Sequence, residues 1–170
     1  TFADLFEDSV RIRMRSDVPV GVCLSGGLDS TAIICAAARQ RGETAAGQSE
    51  SLQAFCYMAK EFDESKYITD TLTQTRAQLR QLETSPAELW SDLRQLLWFQ
   101  DEPVHTMTAV VGYQLMRLAA SNGIRVVLNG QGADETIGGY SSYFQDYWVS
   151  LLRQGRVREA WQAVTAYTEA

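Results

Sequence analysis

The residues best suited to chemistry lie in Ser25-Gly26-Gly27-Leu28-Asp29-Ser30, directly after the apolar run Val18–Leu24. Two adjacent glycines let a backbone turn sharply and bring N–H groups close to an anion with no Cβ in the way. Ser25 and Ser30 add hydroxyl donors, and the helical pattern that follows aims its positive dipole end at the same spot. Such a set cradles phosphates. It is not the Walker loop, because no Gly-Lys-Ser/Thr closes it. Asp29 stands out, since a carboxylate repels phosphate unless a cation lies between the two. It implies magnesium, a hard ion commonly held by one or two carboxylates together with substrate phosphates.

A second stretch repeats the layout. Ile124–Leu128 reads as a buried strand and runs into Asn129-Gly130-Gln131-Gly132-Ala133-Asp134-Glu135-Thr136-Ile137-Gly138-Gly139-Tyr140. An apolar β-rich run followed by glycines and then an acid is expected at the carboxyl rim of a parallel sheet, where ligands of open α/β sheets bind. Asp29 and Asp134 would then form a two-carboxylate magnesium site facing pyrophosphate. Either stretch alone could be an ordinary capped turn. Two in one chain of 170 residues are far more specific.

The first loop resembles the pyrophosphate loop of the ATP pyrophosphatases, which split ATP between the α and β phosphates and adenylate a substrate. Gly-Gln-Gly-Ala-Asp-Glu-x-x-Gly-Gly-Tyr is similar to the second motif of the synthetase domain of class B, glutamine-hydrolysing asparagine synthetases. Glu61–Tyr67, Asp101-Glu102-Pro103 and the lead-in Ser16–Pro19 agree with that family, so the resemblance spans nearly the whole chain. It implies adenylation of a side-chain carboxylate by MgATP, then attack by ammonia to give an amide, AMP and pyrophosphate. Position by position, Ser25, Gly26, Gly27, Asp29 and Ser30 match the pyrophosphate loop, and Asp29 and Asp134 match the magnesium ligands. Cys23 or Leu24 and Tyr57, with Asn129 and Gly130, match nucleotide contacts made largely through backbone. Gln131 departs from the pattern: many members carry Glu there, implicated in forming the acyl-adenylate. Gln keeps the hydrogen-bonding shape and loses the charge. The departure bears on aspartate as acceptor more than on adenylation. The resemblance also places Asp101–Pro103 near the acceptor pocket.

These loops need elements to hold them. Phe2, Leu5, Phe6 and Val10 predict a helix over 2–14, with Arg11, Arg13 and Arg15 in or beside its last turns. A strand over 18–24 and an Ala-rich helix over 31–41 follow, then a polar loop over 42–50. Leu52–Met58 reads as a second strand, Asp63 as the cap of a helix bearing Tyr67, Ile68 and Leu72, and 78–83 as a short strand. Ser85-Pro86-Ala87-Glu88 is a capping box with proline at the first helical position. A helix near 108–121 stops at Asn122-Gly123, and two more occupy 141–154 and 156–168. The alternation predicts an α/β fold: a three-layer α/β/α arrangement around a mostly parallel twisted sheet, ending in additional helices.

Composition sets the remaining bounds. The formal charge is −6 and no basic stripe is present, which argues against nucleic-acid binding. With no long apolar run and no signal-peptide pattern, the expectation is a soluble cytoplasmic protein. The three cysteines lie in apolar strands or the Ala-rich helix and read as buried reduced thiols. With one histidine, His105, and no Cys-x-x-Cys, zinc is not expected. The spacing of Trp90, Trp98, Trp148 and Trp161 favours core packing over a stacking surface. Glu135 reads as orienting the Asp134 loop or capping the helix after it. The resemblance implies a partial synthetase domain, inactive alone, whose complete protein has an N-terminal glutaminase domain and a further C-terminal part. Expected partners are small molecules: aspartate or another carboxylate, and ammonia delivered from the glutaminase. The oligomeric state stays open, a homodimer included. Other readings also remain open: a lasso-peptide cyclase or β-lactam synthetase type of ligase, a GMP- or NAD-synthetase type, or a non-catalytic nucleotide-binding module.

Overall fold

The computed structural model describes residues 1–44, 51–58 and 64–168. It divides into two compact units, 1–130 and 131–170.

In the first unit α1 (Phe2–Arg13), β1 (Val20–Cys23), α2 (Leu28–Thr44), β2 (Gln53–Tyr57), α3 (Ser65–Thr75), β3 (Gln78–Leu82), α4 (Pro86–Gln100), α5 (Thr108–Ser121) and β4 (Val126–Leu128) alternate along the chain. All strand pairs are parallel and the order is β3-β2-β1-β4. The expected α/β sheet with helices on its faces is present. The period-two rule sorts its residues. Val22, Leu24, Ala54 and Cys56 point to one side and join Val10, Ile34, Ala36, Ala37 and Ile68 in one core. Phe55 points to the other side and packs with Ala119, Ile124 and the half-buried Val127. Burial on both faces makes β1 and β2 near-continuous apolar runs, as parallel strands require.

Several boundaries differ from those the sequence suggests. Strand β1 opens at Val20, past Pro19, which has no N–H to give a ladder. Helix α2 begins at Leu28, not at 31, so Asp29 and Ser30 sit inside its first turn, and it runs to Thr44 through Gly42. Residues 45–50 of the expected loop lie outside the described residues. Asp63 does too; α3 starts with Glu64 in the N-cap position, its side chain making no cap hydrogen bond. The capping box at Ser85 forms as expected: Ser85 Oγ accepts from Glu88 N–H at 3.3 Å, and Ser85 N–H donates to Glu88 Oε2 at 2.7 Å. In α1, Phe6 and Val10 pack inward while Phe2 and Leu5 remain exposed. A shared helical face does not fix how far along it the core extends.

The second unit holds α6 (Ala133–Ile137), α7 (Ser141–Arg153) and α8 (Val157–Thr168). A tight turn at Gly155 makes α7 and α8 a hairpin, closed by Arg156 N–H donating to Leu151 carbonyl at 2.9 Å. Tyr167 packs on Phe144 and on Trp148, with ring centroids 4.9 Å and 5.3 Å apart. The five residues of α6 turn the expected Asp134 loop into a short helical turn.

Gly21 marks the tightest packing on the Phe55 side. A Cβ there would lie 2.7 Å from Phe55 Cε2 and 3.1 Å from Ile124 Cγ2. Gly21→Ala should destabilise by about 1–3 kcal/mol in chemical denaturation, the usual cost of overpacking. Adding Phe55→Leu should make the double variant less costly than the two single changes summed. Strictly additive costs would show that the two positions do not compete for space.

Candidate functional site

Register decides which loops meet. Val22 pairs with Ala54 on one side and with Leu128 on the other, so β1 and β4 end at one level. The chain leaving β1 becomes the Ser25–Ser30 loop, and the chain leaving β4 becomes Asn129 and Gly130. The two then touch: a Cβ on Gly130 would be 3.0 Å from Asp29 Cβ and 3.2 Å from the Ser30 amide nitrogen. Only a residue without a side chain lets the second motif rest on the first turn of α2.

The loop is tied from within. Buried Ser30 is the knot: its Oγ accepts from Ser25 N–H at 3.1 Å, lies 3.0 Å from Ser25 Oγ and donates to Gly27 carbonyl at 3.2 Å. Gly27 N–H reaches Ser25 Oγ at 3.3 Å. Ser30 therefore shapes the cradle more than it offers a free hydroxyl. The amides of the first turn of α2 have no acceptor within the helix. Asp29 stands in that turn, half-buried, where the helix dipole favours its charge. Gly26 has φ +86°, the left-handed region that suits glycine.

Glu64, at the start of α3, packs on Gly26. A Cβ on Gly26 would fall 2.8 Å from Glu64 Cβ and 3.3 Å from its Oε2. In the sequence Glu64 is one acid among several in the passage Glu61–Tyr67, and nothing there gives it a role of its own. A second carboxylate thus stands beside the loop from within the same unit.

The other sequence-derived positions fall at the same rim in part. Cys23 and Tyr57 close β1 and β2, both half-buried. Leu24 is 1% exposed and its N–H donates to Phe55 carbonyl at 2.8 Å, so its side chain serves the core. Asn129 is exposed just past β4. Gln131 and Asp134 belong to the second unit. Within it Asp134 lies in the first turn of α6, and Tyr140 OH donates to Glu135 Oε1 at 2.9 Å, a bond that raises the tyrosine pKa. Glu135 is thereby tied to the chain that leaves the turn.

One expectation is corrected. Trp90, Trp98 and Trp161 are 66%, 80% and 72% exposed, so they do not pack in a core. Trp90 and Trp98 instead line a shallow depression along α4 with Leu93, Leu97 and Pro103. Asp101 is the left-handed C-cap of α4, with φ +57° and its N–H on Leu97 carbonyl at 3.0 Å. Its backbone role is structural.

The donor set suits a magnesium–triphosphate. It combines a glycine turn, the open first turn of a 17-residue helix and the carboxylate of Asp29 beside them. Among the described residues no group of three or more His, Cys, Asp or Glu could hold a metal ion. Magnesium needs no such cage, since phosphates complete its shell. No helix among the described residues is long and apolar enough to cross a membrane.

A family model described as asparagine synthase matches residues 1–169. A putative glutamine-hydrolysing asparagine synthetase 2 of Methanocaldococcus jannaschii is 30% identical over 150 residues, 88% of this chain and 28% of that protein. The glutamine-hydrolysing asparagine synthetase 1 of Bacillus subtilis is 33% identical over 142 residues, 82% of this chain and 21% of that protein. Amidase chry2 of Gibberella zeae is 26% identical, covering 90% of this chain and 25% of its own. The chain thus spans between about a fifth and three tenths of the length of these relatives.

The cysteines are free thiols, Cys56 buried, Cys23 and Cys35 only half-buried where full burial was expected. Burial raises the Cys23 pKa and pushes that of Cys56 up to about 11. At pH 8 roughly one Cys56 in a thousand is then thiolate, the reactive form. Iodoacetamide at pH 8 should label Cys35 first and Cys56 only after denaturation, read by peptide mass. Equal native rates at both would contradict the burial described.

Proposed function

The chain belongs to the asparagine synthase family, and from that premise we propose that it forms the nucleotide-binding part of an ATP-dependent carbon–nitrogen ligase. The reaction is adenylation of a side-chain carboxylate, with aspartate the first candidate, followed by ammonia attack to give asparagine, AMP and pyrophosphate. The supporting observation is the seating of Gly130 on the first turn of α2, which joins the starts of the two acidic motifs at one sheet rim.

On this reading the amides of the Ser25–Ser30 loop other than those of Ser25 and Gly27, which its own serines engage, bind the β and γ phosphates of ATP together with the amides of the α2 first turn. Asp29 and Asp134 hold magnesium, which neutralises charge on the departing pyrophosphate when bound. Cys23 or Leu24, Tyr57 and Asn129 meet the nucleoside, the first three through backbone at the ends of β1 and β2. Gly130 and the turn toward Asp134 shape the α-phosphate side. A carboxylate oxygen of the acceptor attacks the α-phosphorus as the bond to pyrophosphate breaks. Ammonia, delivered from a glutaminase domain of the complete protein, then attacks the acyl carbon, expels AMP and loses a proton. The protein's part is chiefly positioning and charge stabilisation.

Gln131 favours a second reading of the acceptor. An amide oxygen and NH₂ can orient a carboxylate but cannot take a proton as a Glu would. Another amide-forming ligase of the same lineage, acting on a different carboxylate, fits this residue equally well. AMP formation by the complete protein against a panel of carboxylates, with glutamine or ammonia, separates the two.

Asp29→Ala in the complete protein should lower ATP–pyrophosphate exchange by about a hundredfold or more, the scale of losing a main charge stabiliser. Its far-UV circular dichroism should not change, because the half-buried side chain is at a helix start and outside the core. Undiminished exchange would refute the assignment.

A further inference from the structure

Within the second unit the Asp134 carboxylate is folded back over Gly139. A Cβ placed on Gly139 would overlap Asp134 Oδ1 and lie 3.1 Å from Cγ. The main chain closes the same turn, with Gly139 N–H donating to Asp134 carbonyl at 3.0 Å. Next in sequence, Tyr140 OH donates to Glu135 Oε1 at 2.9 Å, from the residue beside Asp134. Gly132 and Gly138, both left-handed with φ +93° and +72°, bracket the turn. Gly139 itself has no left-handed φ, so its lack of a side chain is not needed for backbone conformation. What it leaves room for is the carboxylate.

We propose that Gly139 and the Glu135–Tyr140 hydrogen bond form a positioning clip that fixes the direction of the Asp134 carboxylate. This rests on the reading above, in which Asp134 is a magnesium ligand. The physical argument is one of competing space. An alanine methyl at 139 collides first with the tip of a flexible side chain, and its nearest backbone atom is Asp134 Cα at 3.4 Å, an ordinary contact. The fold can therefore absorb the change by rotating the carboxylate. The ion it holds feels that rotation directly, because oxygen ligands of magnesium must sit near 2.0–2.1 Å in octahedral directions. The Glu135–Tyr140 bond holds the first turn of α6, which carries Asp134, against the chain that leaves it. Both residues act through Asp134 and neither touches substrate.

The test is metal–nucleotide binding by the complete protein, independent of turnover. Mn²⁺ affinity is measured by electron paramagnetic resonance with saturating α,β-methylene-ATP, alongside thermal melting. Gly139→Ala should weaken Mn²⁺ about tenfold or more, the range seen when a residue orienting a metal ligand is lost. Tyr140→Phe should weaken it roughly threefold. Neither should lower the melting midpoint measurably. Adding Gly139→Ala to Asp134→Asn should weaken Mn²⁺ no further than Asp134→Asn alone. If Asp134→Asn weakens Mn²⁺ while Gly139→Ala and Tyr140→Phe do not, the clip is wrong and the ligand assignment stands. If Asp134→Asn leaves Mn²⁺ affinity unchanged, the ligand assignment itself fails and the clip with it. Should Gly139→Ala not fold, Tyr140→Phe decides on the same criteria.

Discussion

The first unit's loops depend on the approach of Gly130 to Asp29 and Ser30. It exists because two parallel strands, β1 and β4, end level, and the level is set by the pairing of Val22 with Leu128. A shift of β4 by one residue would reverse its faces and remove Val127 from the Phe55 side. The same slip would carry Gly130 away from the α2 start. Packing on the far face of the sheet and the meeting of two loops at its rim are thus one fact. The three residues of β4 leave little ladder to hold this register, so Ile124, buried at 4% exposure just before the strand, carries much of it.

Charge gives the site its second character. Asp29 and Glu64 are both carboxylates standing beside the Ser25–Ser30 turn, the proposed phosphate site. In a protein of net charge −6 this is unfavourable for bare triphosphate. On the proposed function a divalent cation would reverse the sign locally, so the loop would favour the metal complex of a nucleotide over the free anion. Glu64 would add to that preference from the N-cap position of α3, and its backbone carbonyl accepts from Ile68 N–H at 3.1 Å.

Much of this was readable in the sequence because it depends on neighbours along the chain. The strand–glycine–acid order of both motifs, the Ser85 capping box and the Asn122–Gly123 stop are local signals, and each appears where expected. Helical periodicity was less informative. Spacing says which residues share a face and not what covers the face, so Trp90 and Trp98 were expected in a core and lie exposed. Helix α2 starts three residues before its Ala-rich pattern does, since Leu28, Asp29 and Ser30 carry no periodic pattern of their own. Contacts made through space had no signal at all. The Glu64 side chain on Gly26 crosses from one βα connection to another, and the fold of Asp134 over Gly139 depends on a side-chain direction.

The proposed function requires the metal of a metal–nucleotide to lie against Asp29 at the carboxyl end of β1. Anomalous diffraction from Mn²⁺, in crystals of the complete protein with a non-cleavable ATP analogue, tests it most directly. One manganese peak is expected within direct ligand distance, about 2.2 Å, of an Asp29 carboxylate oxygen, with the analogue's phosphates along the Ser25–Ser30 loop. A nucleotide bound with its manganese at another edge of the sheet, and Asp29 bare, would contradict it.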